Sequence, residues 1–137
     1  MPDSAITMSE HTIHNPAEPR HFMRLRPMTG RARALRDDTV LADASNAVHM
    51  IEVGKDVYAP LVYFPEVAIR ARLRRNTKST HCPLKGDAAY FDLLDETGAV
   101  AVENIAWTYP EPFDFATDLK GLIAFYPEHV IIETRGV

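Results

Sequence analysis

Apolar and polar residues alternate in short runs along most of the chain, and turn residues separate the runs. The alternation over Phe22–Arg26 has a period of two, which is typical of a half-buried β-strand. Asp37-Asp38-Thr39 is typical of a hairpin turn between extended segments at Arg31–Leu35 and Val40–Asp43. Val57–Phe64 is rich in β-branched and aromatic residues, which favour strands. The pattern predicts a mainly β, compact domain of short antiparallel strands with one or two short helical turns.

Two segments interrupt this pattern. Polar composition predicts a loop over Thr77–Gly86. Pro65–Asn76 is ambiguous, because Pro65-Glu66 suits the first turn of a helix whereas the apolar residues that follow alternate as in a strand. We expect one helical turn there and leave the rest open between helix and strand. Strands are predicted again over Ala88–Leu94, Val100–Val102, Ile105–Tyr109, Leu122–Tyr126 and His129–Glu133. Strands and helices do not alternate, which argues against a parallel doubly wound sheet.

Length and composition add limits to this fold. The 137 residues are 46% hydrophobic and 25% charged, which is typical of one globular domain. Residues 1–19 contain three prolines and several polar side chains, so we expect a loosely ordered tail there and one domain over residues 20–137. No apolar run approaches the ~18 residues that span a membrane. The composition of the N-terminal stretch and the single cysteine together predict a cytoplasmic protein.

Charge and cysteine content exclude several partners. The net charge of −4 is too small to indicate a nucleic-acid or membrane partner. One cysteine excludes an internal disulfide and any zinc site built from two or more thiolates. His11 and His14 are the histidines closest to metal-ligand spacing, and they fall in the predicted tail. The sequence therefore predicts no metal site and no cofactor.

Aromatic residues end three of the predicted strands, each followed by proline. Proline favours extended geometry at the preceding residue, so Phe64, Tyr109 and Tyr126 should be strand residues. Trp107 and Tyr109 are two residues apart and share one face of a strand. These rings are typical either of a filled core or of a concave pocket with polar groups. The predicted ligand-binding residues are Tyr63, Thr80, Cys82, Lys85, Tyr90, Trp107, Tyr109 and Tyr126.

Reactive side chains concentrate in Thr80–Gly86. A thiol near His81 and Lys85 is a candidate nucleophile, so Cys82 and Lys85 are the candidate catalytic residues. The alternative is a structural cysteine in a tight loop and a lysine in an ordinary salt bridge.

Four motifs in this order resemble the domain-of-unknown-function 427 family over about Thr12–Glu133. They are Val62–Pro65, Thr80–Tyr90, Asn104–Pro112 and Lys120–Tyr126, and Val40–Asp43 and Glu52 also fit. The resemblance implies a β-tent-like domain in which two sheets meet at an angle, and it implies no known activity. Pro65-Glu66-Val67 is shorter than the family's pattern, and Ala44 replaces a usual Ser or Thr.

Relatives in that family are often labelled nucleotidyltransferases. This chain has no Asp-x-Asp pair for a metal-bound nucleotide and no glycine-rich phosphate loop. We therefore expect no nucleotide transfer.

Three functions remain open. The leading hypothesis is a module that binds a small planar or anionic ligand, with Tyr63, Trp107, Tyr109 and Tyr126 as walls and Lys85 as the anchor. The rival is an enzyme in which Cys82 or Lys85 does covalent or acid–base chemistry. The third is a protein-interaction domain that forms a homodimer through an exposed strand edge.

Overall fold

The computed structural model describes residues 11–136, and it is mainly β, as the sequence predicts. The strands are β1 (Thr12–Asn15), β2 (Glu18–Pro27), β3 (Arg31–Arg36), β4 (Thr39–Ala44), β5 (Val48–Val53), β6 (Leu61–Pro65), β7 (Leu73–Cys82), β8 (Gly86–Leu94), β9 (Val100–Thr108), β10 (Leu122–Phe125) and β11 (Ile131–Arg135). Two short 3₁₀ helices cover Glu66–Ala68 and Asp114–Leu119. No helix in the described residues is long and apolar enough to cross a membrane.

The strands form two antiparallel sheets. The larger sheet has the order β1-β2-β5-β6-β10-β9-β8-β7, and the smaller has the order β11-β3-β4. Alanines on the smaller sheet, among them Ala32, Ala34 and Ala42, pack into one core cluster with Phe64 and Phe125 of the larger sheet. The two phenylalanine rings meet edge to face at 5.9 Å between centroids. Small side chains on one sheet thus leave room for large rings on the other.

The opposite face of the larger sheet carries a second core cluster, which contains most of the aromatic residues of the candidate site. Leu84, from the turn between β7 and β8, and Leu119, from the second 3₁₀ helix, cover this face. The turn also reaches the far edge of the same sheet, because Asn15 Nδ2 of β1 donates to the Pro83 carbonyl at 3.2 Å. The larger sheet therefore curls until the β7–β8 turn meets β1.

The segment Thr77–Gly86 differs from the predicted loop. β7 continues to Cys82 and pairs with β8, for example at His81↔Asp87, and the turn is confined to residues 83–85. β7 is the last strand of the larger sheet and most of its side chains are exposed. An exposed edge strand carries polar residues like a loop does, which explains the error.

The ambiguous segment Pro65–Asn76 contains one helical turn, as expected. It covers Glu66–Ala68 directly after Pro65, and Ile69 is already extended. Ile69 then forms an isolated β-bridge with Ala42 of the smaller sheet, and the chain enters β7 at Leu73.

Part of the expected loose tail is a strand. Thr12–Asn15 pairs with β2, and Ile13 lies opposite Met23 in this pairing. Ile13 also packs against the second core cluster, so a buried apolar contact holds the strand in place. Residues 1–10 of the predicted tail lie outside the described residues, and the division into tail and single domain stays a prediction.

Gly86 should be essential for the turn that carries Lys85. Its φ is +117°, and an added Cβ would lie 3.2 Å from the Glu111 carbonyl oxygen. Gly86→Ala should therefore lower the free energy of unfolding by about 1–3 kcal/mol, measured by urea denaturation. Gly98 is the matched control, since its φ is +87° and an added Cβ meets nothing within 4 Å. Equal losses for the two alanine variants would contradict the packing argument.

Candidate functional site

The aromatic residues that the sequence singles out are brought together on one face of the larger sheet. Trp107 lies between two tyrosines: its Nε1 donates to the Tyr63 hydroxyl at 3.3 Å, and its ring lies 4.5 Å from the Tyr126 ring between centroids. Tyr90 stacks on Tyr126 at 6.5 Å. Tyr109 belongs to the same cluster. We call these five rings the aromatic cluster.

The aromatic cluster is packed rather than hollow. Tyr63, Tyr90, Trp107 and Tyr109 are each at most 8% exposed, and Tyr126 is half-buried. The aromatic cluster lines none of five surface cavities that have volumes of about 120 to 740 Å³. Four of its rings, those of Tyr63, Tyr90, Trp107 and Tyr109, are buried members of the second core cluster.

Burial also fixes the protonation of the phenols. Burial raises the pKa of Tyr63 and of Tyr109 well above the ordinary tyrosine value. Burial, together with a side-chain hydrogen bond to Tyr90, raises the pKa of Tyr126 to about 12. All three are neutral hydroxyls near neutral pH, so they add no charge to the site.

Thr80 and Lys78 flank the cluster on β7. Thr80 Oγ1 and the Tyr90 hydroxyl form a hydrogen bond of 2.7 Å. The Lys78 ammonium lies 4.5 Å from the centroid of the Tyr90 ring, within the range of a cation–π contact. Thr80 therefore contacts the aromatic cluster through Tyr90, from the exposed strand β7.

Lys85 is a buried cation, only 6% exposed. Its Nζ donates to Glu52 Oε1 in a short hydrogen-bonded ion pair. The same ammonium lies 5.8 Å from the centroid of the Tyr109 ring. The Lys85 carbonyl accepts a hydrogen bond from the Phe113 amide at 3.1 Å, which ties its turn to the segment before the second 3₁₀ helix.

Glu52 links Lys85 to a histidine. The second carboxylate oxygen, Oε2, lies 2.7 Å from His21 Nε2. The three side chains come from β2, β5 and the β7–β8 turn, and we call them the His21–Glu52–Lys85 cluster. Exposure rises along the chain of contacts, from 8% for the Lys85 side chain to 22% for His21. The cluster therefore runs from the interior to the surface and ends at the imidazole.

A cavity opens at the His21 end of the cluster. This His21 cavity has a volume of about 520 Å³, and its lining residues are Glu18, Arg20, His21, Gly54, Lys55, Tyr58 and Pro83. A Cβ on Gly54 would lie 3.2 Å from His21 Cδ2 and 3.2 Å from Tyr58 Cε2. Glycine at this position lets the backbone approach both rings, so the rings and the glycine form one wall.

The His21 cavity has an excess of positive groups. Arg20 and Lys55 are exposed, and the structure gives neither side chain an ion pair within residues 11–136. Glu18 is the acidic lining residue, and its Oε1 accepts the Arg20 backbone N–H at 3.0 Å. Two cations without partners at one cavity favour an anion there.

Cys82 has no histidine partner in the described part of the chain. His81, its neighbour in sequence, bonds instead to Asp87, with 2.8 Å between Nδ1 and Oδ1. The His81 ring packs edge to face on Phe113 at 5.9 Å. Cys82 is half-buried and packs against the second core cluster. The arrangement lacks the oriented base that activates a catalytic thiol.

Metal ligands are not gathered anywhere in residues 11–136: no group of three or more His, Cys, Asp and Glu side chains is arranged to hold an ion. In the His21–Glu52–Lys85 cluster, for example, the Lys85 ammonium occupies the Oε1 side of the Glu52 carboxylate.

Sequence reasoning missed His21 and Tyr58 and singled out Glu52 only through the family resemblance. The alternation along β2 puts His21 on the same face as Met23, and Met23 pairs with Glu52. A contact between His21 and Glu52 can therefore be predicted only when β2 and β5 are known to be neighbours. Lys85 lies 33 residues from Glu52, and their contact depends on the curl of the whole sheet.

The chain belongs to the family described as domain of unknown function (DUF427), whose model matches residues 24–136. The match spans the smaller sheet, the aromatic cluster, Glu52 and Lys85, and it begins after His21. The short name of that family refers to nucleotidyl transfer, as expected from the resemblance. No curated protein matches the chain.

Removing Glu52 should strand the buried Lys85 ammonium. Glu52→Leu is expected to lower the free energy of unfolding by about 3–5 kcal/mol, because an unpaired buried charge is expensive. Adding Lys85→Met to it should recover a large part of that loss. A urea-denaturation cycle over the two single variants and the double variant measures the coupling.

The control for this cycle is the Arg33–Glu133 pair, which joins at 3.0 Å with both side chains 32% exposed. Its coupling should be at most about 1 kcal/mol, as for other exposed pairs. A buried pair that couples no more strongly than this would refute the structural role of Glu52.

Cys82 should react slowly in the folded protein. Iodoacetamide labelling at neutral pH, followed by mass spectrometry, should be much slower than in urea because Cys82 packs against the second core cluster. His81→Ala should leave the folded-state rate unchanged, since His81 bonds to Asp87. Fast labelling that this substitution slows would instead identify a Cys–His pair.

Proposed function

We propose that this domain binds a small planar anion in the His21 cavity. The observation that carries the proposal is the position of that cavity. It is formed around an imidazole that a buried ion pair holds in place, and two cations that form no ion pair within residues 11–136 stand on its rim. A cavity lined mainly by one sign of charge attracts ligands of the opposite sign.

The lining suggests the chemistry of the ligand. The Tyr58 ring and the Pro83 ring offer flat apolar surfaces for a planar group, and Arg20 and Lys55 offer charge for a carboxylate or phosphate. The volume of about 520 Å³ lies within the ~300–1,000 Å³ of small-molecule sites. A single aromatic ring with one anionic substituent suits this space.

The proposed ligand site lies outside the aromatic cluster, and Lys85 is not the group that anchors the ligand. Lys85 and Trp107 lie on the same face of the larger sheet, but the ammonium is committed to Glu52 and the indole to Tyr63. Lys85 therefore supports the site through Glu52 instead of touching the anion. The aromatic cluster holds the β7–β8 turn that carries Lys85 and Pro83.

An enzyme that uses Cys82 or Lys85 as nucleophile has less support from these contacts. Cys82 lacks a base, and Lys85 is an ammonium paired with a carboxylate, a form that has no free electron pair. The single free cysteine supports a reducing, cytoplasmic setting for the protein.

Binding can be tested with a panel of benzoates, phenyl phosphates and their uncharged amide or alcohol counterparts. We expect the charged members to raise the melting temperature and the uncharged ones to have little effect. Lys55→Ala and Arg20→Ala should each weaken binding of a charged member about 5- to 10-fold in titration calorimetry, as loss of one partly exposed charge contact of about 1–1.4 kcal/mol implies.

Arg74→Ala is the matched control, because Arg74 is exposed on β7 and does not line the His21 cavity. It should bind like the unchanged protein. Equal weakening by Arg74→Ala and Lys55→Ala would place any anion binding elsewhere, and no binding by the whole panel would count against the proposal.

A further inference from the structure

The His21–Glu52–Lys85 cluster fixes the proton on the imidazole. Glu52 is ionised against the Lys85 ammonium, and an ionised carboxylate can only accept hydrogen bonds. His21 Nε2, at 2.7 Å from Glu52 Oε2, must therefore carry the proton and donate it. In the neutral ring, Nδ1 is then the nitrogen with the free electron pair.

A histidine oriented in this way by a carboxylate is the arrangement of a general base. His21 is one of the residues that line the His21 cavity, and its Cδ2 and Nε2 atoms lie beside Gly54 in the same wall. Within residues 11–136 the lining contains no serine, threonine or cysteine, its one side-chain hydroxyl is the Tyr58 phenol, and Cys82 packs against the second core cluster instead. The nucleophile assigned to such a base is water.

We propose that His21 is the general base for hydrolysis of an ester that carries an anionic group, bound in the His21 cavity. This inference rests on the proposed ligand-binding function. Water attacks the ester carbonyl carbon while His21 Nδ1 takes one of its protons, and the carbonyl electron pair moves to oxygen. Collapse of the tetrahedral intermediate breaks the bond to the leaving alkoxide, which takes the proton back from Nδ1–H. The products are a carboxylic acid and an alcohol, and the imidazole returns to its starting form.

The other members of the site have distinct roles in this reaction. Arg20 and Lys55 hold the anionic group and supply positive charge near the developing oxyanion. Glu52 is a positioning residue that fixes the tautomer of His21 and stabilises the imidazolium that forms. Lys85 is a second positioning residue, since its ammonium holds the Glu52 carboxylate in place.

The test uses two chromogenic esters, 4-nitrophenyl hydrogen succinate, which is anionic, and 4-nitrophenyl acetate, which is neutral. Release of nitrophenolate gives kcat and KM, after subtraction of the rate with an equal concentration of free imidazole. We expect a preference for the succinate in kcat/KM, and a fall in kcat of about 10²-fold or more for His21→Gln. His49→Gln is the control, because His49 lines a different cavity, and it should leave both constants unchanged.

Glu52→Gln tests the positioning role. An amide keeps the size of the side chain but does not enforce the tautomer, so kcat should fall with KM little changed. Should the single variant not fold, Glu52→Gln combined with Lys85→Met removes the stranded charge and answers the same question.

The outcomes separate this inference from ligand binding. The non-hydrolysable amide 4-nitrosuccinanilic acid reports binding alone by calorimetry. Binding of the amide without hydrolysis of the ester overturns the catalytic role and leaves the binding site intact. No binding and no hydrolysis overturn both. Equal rates for His21→Gln and His49→Gln would show reaction at surface imidazoles and overturn the role of His21, and faster turnover of the acetate would overturn the anionic substrate class.

Discussion

The buried ion pair between Lys85 and Glu52 is the interaction on which the site depends. It joins the β7–β8 turn to β5, although β6, β10 and β9 lie between β5 and β8 in the sheet. Contact across that distance requires the larger sheet to curl, and the bond from Asn15 to Pro83 closes the same gap beside it. Taking two charges out of water is costly, so the pair is stabilising only while both partners remain in place.

The two faces of the larger sheet differ in the side chains they bury. One face packs large rings against the alanines of the smaller sheet and supplies an apolar core. The other face places polar atoms among its rings: the Tyr63 hydroxyl, the Trp107 indole N–H and the Lys85 ammonium. Since polar groups in a core need partners, this second face is where a precise arrangement of side chains is enforced. The His21 cavity lies at its margin.

Neutral groups and charged groups lie at different depths near the His21 cavity. The phenols of the aromatic cluster are neutral, because burial raises the pKa of Tyr63 and Tyr109. The Lys85–Glu52 pair is neutral in sum, and the cations on the rim are exposed. In the proposed binding, an anion that enters the cavity meets the exposed cations first and the imidazole held by Glu52 behind them.

Local pattern in the sequence determined the mainly β class, the hairpin turn at Asp37-Asp38-Thr39 and the single helical turn after Pro65, because each depends on neighbouring residues alone. The edge strand β7 was misread as a loop, since an exposed edge has the polar composition of one. The order of motifs identified the family. The sequence also marked Lys85 and the aromatic residues as a group, but it could not distinguish a packed cluster from an open pocket. Only the tertiary structure decided that Lys85 meets Glu52 and that Glu52 holds His21, because strand order and the curl of the sheet bring together residues 31 and 33 positions apart.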